Sequence, residues 1–187
     1  YKVALQLVLP GTMLPMVMGS GLFAEVSARQ SRGEEVAQTV TNNIAFASLF
    51  TVPLFFGALA MPESIVVTVF GEEYRSAALL LVGLGLYQVV AMQSNQIQAV
   101  VQGLDRPDVI LYVITATLGV NLVLGVALVY QIGAFGVVVA TIVAETVKFG
   151  LLTAFARREV AYELLPAPVR YELLAGGAMF VVVEGLH

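Results

Sequence analysis

The chain has 187 residues, 59% of them hydrophobic and only 12% charged, and a mean hydropathy of +0.90. Soluble domains carry roughly 25% charged residues, so water is not the main solvent of this sequence. A net charge of −4, nine scattered cations, no Cys and a lone His187 at the end exclude a polybasic nucleic-acid surface, disulfides, thiolate metal sites and a zinc centre.

Apolar runs of about 20 residues recur along the chain, the length that crosses the hydrocarbon core at 1.5 Å rise per residue. Barrel strands alternate apolar and polar residues in pieces of about ten, so continuous runs predict an all-α polytopic transmembrane helix bundle instead. The first run is Val3 to Phe23, with Pro10-Gly11, Pro15 and Gly19-Ser20-Gly21 inside it. Pro10 and Pro15 make this helix a candidate bending element, or else a closely packed one, since membranes tolerate both uses. The second run falls within Val40 to Met61. Ser31-Arg32-Gly33-Glu34 has capping-box spacing, which predicts a helix from about Arg32 to Ala60, about two turns of it in water. Pro53 should bend that helix.

The third run spans about Ala77 to Val101, and the turn Leu104 to Asp108 separates it from the fourth, Val109 to Tyr130. Gln131-Ile132-Gly133 leads at once into the fifth, Ala134 to Phe155, so these two runs form a tight hairpin. Residues 155–170, with Pro166 and Pro168, read as a cytoplasmic linker. Residues 171–187 begin a further helix that is short for a bilayer. The expectation is five complete spans and the start of a sixth, with spans one to five in residues 1–154. With no initiator Met and no positive n-region at Tyr1, the sequence reads as a piece of a longer chain.

Lys and Arg set the orientation, because cytoplasmic loops are enriched in them. Arg29, Arg32, Arg106, Arg157, Arg158 and Arg170 fall on alternate loops, with Lys148 toward the same side, whereas only Lys2 and Arg75 lie opposite. Tyr1 is then outside.

The clearest functional pattern is in the third run. Gln88, Asn95 and Gln102 recur every seven residues, with Ala91, Met92 and Ala99 between them, so they share one narrow helical stripe that Ser94, Gln96 and Gln98 widen. Amides in hydrocarbon are costly without partners, so Gln88, Asn95, Gln98 and Gln102 either line a watery cavity or bond to neighbouring helices. Gln93 points elsewhere. In the fifth run Gly136, Ala140 and Ala144 make a small-residue ridge for close packing. Glu145 and Lys148, three residues apart, are coupling candidates deep in the membrane, or a static pair.

The stretch Pro62-Glu63-Ser64-Ile65-Val66 through Val69-Phe70-Gly71-Glu72-Glu73-Tyr74, followed by Ala77-Ala78, resembles the external loop of polysaccharide flippases of the multidrug/oligosaccharidyl-lipid/polysaccharide exporter superfamily. Asn121-Leu122-Val123-Leu124, then Ile132-Gly133-Ala134-Phe135-Gly136 and Ala140-Thr141, is similar to that family's hairpin, and Gly103 with Arg106-Pro107 fits its preceding cytoplasmic turn. The resemblance implies two six-helix lobes around a cavity, usually with two extra helices, and alternating access of a lipid-linked oligosaccharide in the plasma membrane. With Tyr1 outside, these spans become about the eighth to thirteenth, most of a C-terminal lobe. The partners implied are the N-terminal lobe of the same chain, the glycolipid and membrane lipids. Only Lys148 is deep enough to meet a pyrophosphate, which leaves that group to the other lobe. A cation-coupled multidrug exporter of the superfamily and a non-transporting scaffold remain as alternatives. No Walker-type phosphate loop is present, so neither ATP hydrolysis nor any other enzymatic activity is expected, and no cofactor.

Overall fold

The computed structural model describes residues 20–185. Residues 20–31 are helical (α1), and then come α2 (Ala37–Ala60), α3 (Pro62–Phe70), a 3-10 turn (Glu72–Ala77), α4 (Ala78–Gly103), α5 (Pro107–Ile132), α6 (Ala134–Glu159) and α7 (Ala167–Gly185). Most of the first predicted span, with Pro10 and Pro15, lies outside the described residues. Among the described residues, four helical stretches are long and apolar enough to cross a membrane: α2, the 3-10 turn with α4, α5 and α6. The 19 residues of α7 fall short of that standard because Arg170, Glu172 and Glu184 interrupt them.

The helices form a row. α4 lies between α2 and α6, α7 packs on the far side of α2, and α5 packs on the far side of α6. Hydrocarbon gives no hydrophobic drive between apolar helices, so close backbone approach and packing must hold this row together. Small residues mark the contacts. A Cβ on Gly136 would sit 2.4 Å from the Leu128 carbonyl oxygen across the α5–α6 hairpin, and one on Gly83 would sit 2.8 Å from Val138 between α4 and α6. Gly136, Ala140 and Ala144 are all buried, as their ridge predicts. Gly133 turns the hairpin in one residue at φ 61, a conformation L side chains avoid.

All loops that carry the predicted cytoplasmic Arg residues meet at one end. Arg106 lies 3.6 Å from Glu159, which brings the α4–α5 turn to the end of α6, and the Glu163 amide donates to Thr41 Oγ1 at 3.2 Å, which brings the α6–α7 linker to α2. At this basic end the main core joins Leu22 and Val26 of α1, Val40 and Ile44 of α2, Ile97 and Val100 of α4, and Leu152 and Ala156 of α6. Arg75 sits at the opposite end and pairs with Glu63 and Glu72. The outer face of α5 stays bare, with Leu111, Tyr112, Leu118 and Val123 all about two-thirds exposed, the face a lipid would wet.

Three local expectations are corrected. The Ser31–Glu34 stretch closes α1 rather than opening α2. The Glu34 amide donates to the Arg29 carbonyl at 3.0 Å and the Gly33 amide to the Gln30 carbonyl at 3.1 Å, with Gly33 at φ 68, which is a helix C-terminal cap. Ser31 Oγ donates to the Ala28 carbonyl, and Glu34 pairs with Arg32 and Arg29 instead of Ser31. The Arg32 guanidinium holds the Glu34 carboxyl below its usual range. α2 therefore begins at Ala37, and its first turns still stand beside the linker, lining a polar cleft with Gln38, Thr41 and Asn42. Second, α6 continues to Glu159 and α7 starts at Ala167, so the linker shortens to residues 160–166. Arg157 and Arg158 favour the negative end of the α6 dipole, and Pro168 is tolerated in a first turn, where amides need no helical acceptor. Third, Pro62 to Tyr74 folds into α3 and the 3-10 turn, since Pro62 and Glu63 suit a helix start and Gly71 at φ 98 ends it. α2 runs unbroken through Pro53.

Candidate functional site

The polar residues of α4 diverge once the neighbouring helices are in place. Gln88 is buried in an apolar recess of about 290 Å³ with Pro53, Gly57 and Ile65, while Gln102 is exposed in the last turn of α4. Asn95 and Gln98, midway, meet α6. Lys148 Nζ donates to Glu145 Oε1 at 3.1 Å and to Asn95 Oδ1 at 3.5 Å, and the Lys148 and Glu145 side chains are only 15% and 12% exposed. Of the six polar residues singled out from sequence, the structure thus gathers Asn95, Gln98, Glu145 and Lys148, and leaves Gln88 and Gln102 apart.

Helix geometry explains the gathering. α4 and α6 run parallel, held close at Gly83 and Val138, so residues at matching heights face each other. Glu145 is 14 residues from the end of α6, about 21 Å at 1.5 Å per residue, near the middle of that helix. A charge there is costly unless paired, and the pair with one amide oxygen supplies that.

Beside the pair lies a cleft of about 270 Å³ between α4, α5 and α6, lined by Gln98, Thr117, Asn121 and Lys148 with Ile114 and Leu118. Thr117 and Asn121 went unremarked as site residues, yet they sit four apart in an otherwise apolar run, and that i, i+4 spacing placed them on one face. Thr117 Oγ1 donates to the Val113 carbonyl, which leaves its oxygen free to accept. Lys148 brings three N–H donors, of which Glu145 and Asn95 take two, and the amides of Gln98 and Asn121 each donate and accept. A lysine already neutralised by Glu145, together with amides and a hydroxyl, is a donor set for sugar hydroxyls or a singly charged group rather than for a dianion.

A second polar contact lies between α2 and α7. Glu172 of α7 is hydrogen-bonded to buried Ser48 of α2. Neither was marked from sequence, although Glu172 is an acid near the start of a mostly apolar run, the signal by which it could have been found. Deeper in α4, Gln96 and Ser94 are fully buried, and neither the Gln96 amide nor Ser94 Oγ has a hydrogen-bond partner.

Four helices long and apolar enough to cross a membrane among the described residues, a bare apolar outer face and a charged seam between inner helices define a multi-pass membrane protein. Two comparisons give its relatives. Residues 1–79 match the family model described as "Polysaccharide biosynthesis protein". Two proteins of Haloferax volcanii align with almost the whole chain: "Probable low-salt glycan biosynthesis flippase Agl15", 25% identical over 186 residues, and "Probable flippase AglR", 23% identical over 190 residues. These alignments cover 96% and 98% of this chain but 39% of each relative. The chain spans about two-fifths of the length of these relatives. No solved structure matches. The resemblance to polysaccharide flippases, read from the loop and hairpin motifs, is borne out by both comparisons.

Proposed function

We propose that this chain forms most of one lobe, the C-terminal one, of a transporter that flips a lipid-linked oligosaccharide across the plasma membrane by alternating access. The helix row would include five spans and the start of a sixth, with the basic end in the cytoplasm. The observation that carries the reading is the Asn95–Lys148–Glu145 seam beside the cleft of Gln98, Thr117 and Asn121, because an ionisable pair with unspent amide donors deep in a bilayer marks a transport path by default. Its support in sequence is the similarity to two proteins named flippases. A scaffold has no use for such a seam.

In this reading Gln98, Asn121 and the third donor of Lys148 bind glycan hydroxyls as the lobes rock about them. Glu145 holds Lys148 in place. The test uses the full-length protein in a strain lacking its own glycan flippase. Asn95→Leu and Gln98→Leu should each reduce export at least tenfold with membrane insertion intact, whereas Gln102→Leu should leave export within twofold. Equal loss from all three, or from none, would remove the seam from the path. Residues 1 to 187 expressed alone should insert without transporting, since one lobe has nothing to rock against.

A further inference from the structure

We propose that the recess around Gln88 receives a transmembrane helix from the rest of the parent chain, one that carries a Ser, Thr, Asn or Gln at the depth of Gln88. The proposal rests on the reading of this chain as one lobe of a longer protein, and not on what that protein carries. Gln88 is the residue that points to a partner. It is only 8% exposed, and its amide makes no hydrogen bond with any described residue. Hydrocarbon holds no water to supply the missing bonds, so an unpaired amide there is costly. Its neighbours on α4 are settled differently: Asn95 accepts from Lys148, and Gln96 is sealed inside at 0%, where nothing can reach it. Gln88 keeps an opening, and that opening is the recess of about 290 Å³ bounded by Pro53, Gly57 and Ala58 of α2, Ile65 of α3 and Gly85 of α4. Among the described lining residues Gln88 has the one polar side chain.

The walls suit another backbone. A Cβ on Gly57 would meet nothing within 4 Å, and one on Gly85 would meet Phe55 and Ala58 no closer than 3.4 Å, so small residues leave the kind of space in which membrane helices approach closely. Leu49, Pro53 and Gly57 follow at four-residue spacing on one face of α2. Pro53 has no amide hydrogen for the Leu49 carbonyl, and membranes tolerate such a break where a neighbouring helix or its Ser and Thr side chains make good the loss. One turn apart, the Leu49 carbonyl and the Gln88 amide give an incoming helix two groups to satisfy.

Depth decides the occupant. Gln88 is ten residues into the 26 of α4, about 15 Å along the helix, whereas lipid esters and head groups lie at the membrane surface, so an acyl chain offers its amide nothing. Neither α2 nor α4 carries an Asp, Glu, Lys or Arg, so this side of the row has no charge that would draw water in. A polar side chain on another helix is the group that meets an amide at that depth. Two relatives have about three-fifths of their length outside the alignment, ample chain for such a helix.

The test is photo-cross-linking of the full-length protein in its membrane, with p-benzoylphenylalanine in place of Leu54, which lines the recess and is 62% exposed. Mass spectrometry should find the probe joined to a peptide from outside residues 1–187 of the same copy, whereas the same probe in place of Leu118, on the bare outer face of α5, should yield lipid adducts. Gly57→Leu should lower the peptide adduct at least fivefold, because its side chain meets nothing in this chain and fills the space of the incoming helix. Gln88→Leu should lower it at least threefold with the protein still in the membrane. An adduct with lipid alone, with residues 1–19, or with a second copy, read by mixing two differently tagged proteins, overturns the proposal, as does a yield that neither substitution changes. Glycan export is read separately in the strain lacking its own flippase: no helix adduct with export intact removes this docking site alone, and a helix adduct without export removes the transport reading alone.

Discussion

Whether Glu145 and Lys148 are a static pair or a working one can be decided by removing them singly and together. At 3.1 Å the direct attraction is about 5 kcal/mol for an effective dielectric of about 20, an upper figure before desolvation and side-chain ordering are subtracted. Loss of one partner leaves the other charge buried in apolar surroundings, for which about 3–5 kcal/mol is usual. Both side chains keep a little exposure, 15% and 12%, so we expect Lys148→Met and Glu145→Gln each to destabilise the protein by about 2–3 kcal/mol. The double variant should cost no more than either single change, about 2 kcal/mol, which gives a coupling of about 3 kcal/mol in the cycle. Unfolding of the full-length protein in bicelles by steric trapping measures the four corners. Glycan export by the same variants then separates structure from function. A static pair gives the three variants, similarly destabilised, similar export, whereas a Lys148 that binds the cargo leaves Lys148→Met and the double variant inactive at a stability at which Glu145→Gln still exports, which is the outcome we expect. Additive single effects, with the double variant down by about 5 kcal/mol, would show that the two groups do not interact in the membrane and would refute the reasoning.

Three further outcomes follow from the packing. Gly136→Ala should destabilise the α5–α6 hairpin by about 1–3 kcal/mol, since its Cβ would stand 2.4 Å from a backbone oxygen that cannot rotate away, whereas Gly150→Ala, with open space around it, should be neutral or slightly stabilising; equal effects in thermal unfolding would mean the helices are not that close. Gly33→Ala should cost about 1 kcal/mol for a left-handed backbone, and Ser31→Ala less than half of that, the reverse of what a capping box requires. With single Cys residues at Ser31 and Glu72, an impermeant thiol reagent outside intact cells should label Glu72→Cys alone, and labelling of Ser31→Cys would invert the orientation.

Much of the fold was legible because its signal is cumulative. A run such as Val109 to Tyr130 declares a helix through twenty side chains at once, and its observed limits, Pro107–Ile132, differ only by the turn that Pro107 starts and Gly133 stops. Single-turn signals fared worse. Ser31 to Glu34 has the right letters for a helix start, but Gly33 can adopt the left-handed cap that L residues resist, and the preceding helix used it. The stripe on α4 shows a different limit. Periodicity places Gln88, Asn95 and Gln102 on one face without saying which neighbour each height meets, and three heights turned out to mean an apolar recess, a lysine and open surface. Glu172 and Ser48 were out of reach for the same reason: their meaning depends on α7 lying against α2, a pairing 124 residues apart in sequence that no local pattern records.

Set side by side, the two polar centres suggest how α4 works as the spine of the row. Its Asn95 side reaches the charged seam on α6, and its Gln93 side reaches an apolar cavity that Ser48 also lines, so α4 separates them while touching both. Between them Gln96 and Ser94 are fully buried with unmet hydrogen bonds, and buried polar groups without partners cost free energy that a packed helix would ordinarily avoid. Such groups are tolerated where another arrangement of the same helices would satisfy them. Distances between α4 and its neighbours, followed as cargo is added, are therefore more informative than distances at the ends of the bundle, where Arg106, Glu159 and the main core hold the basic side together.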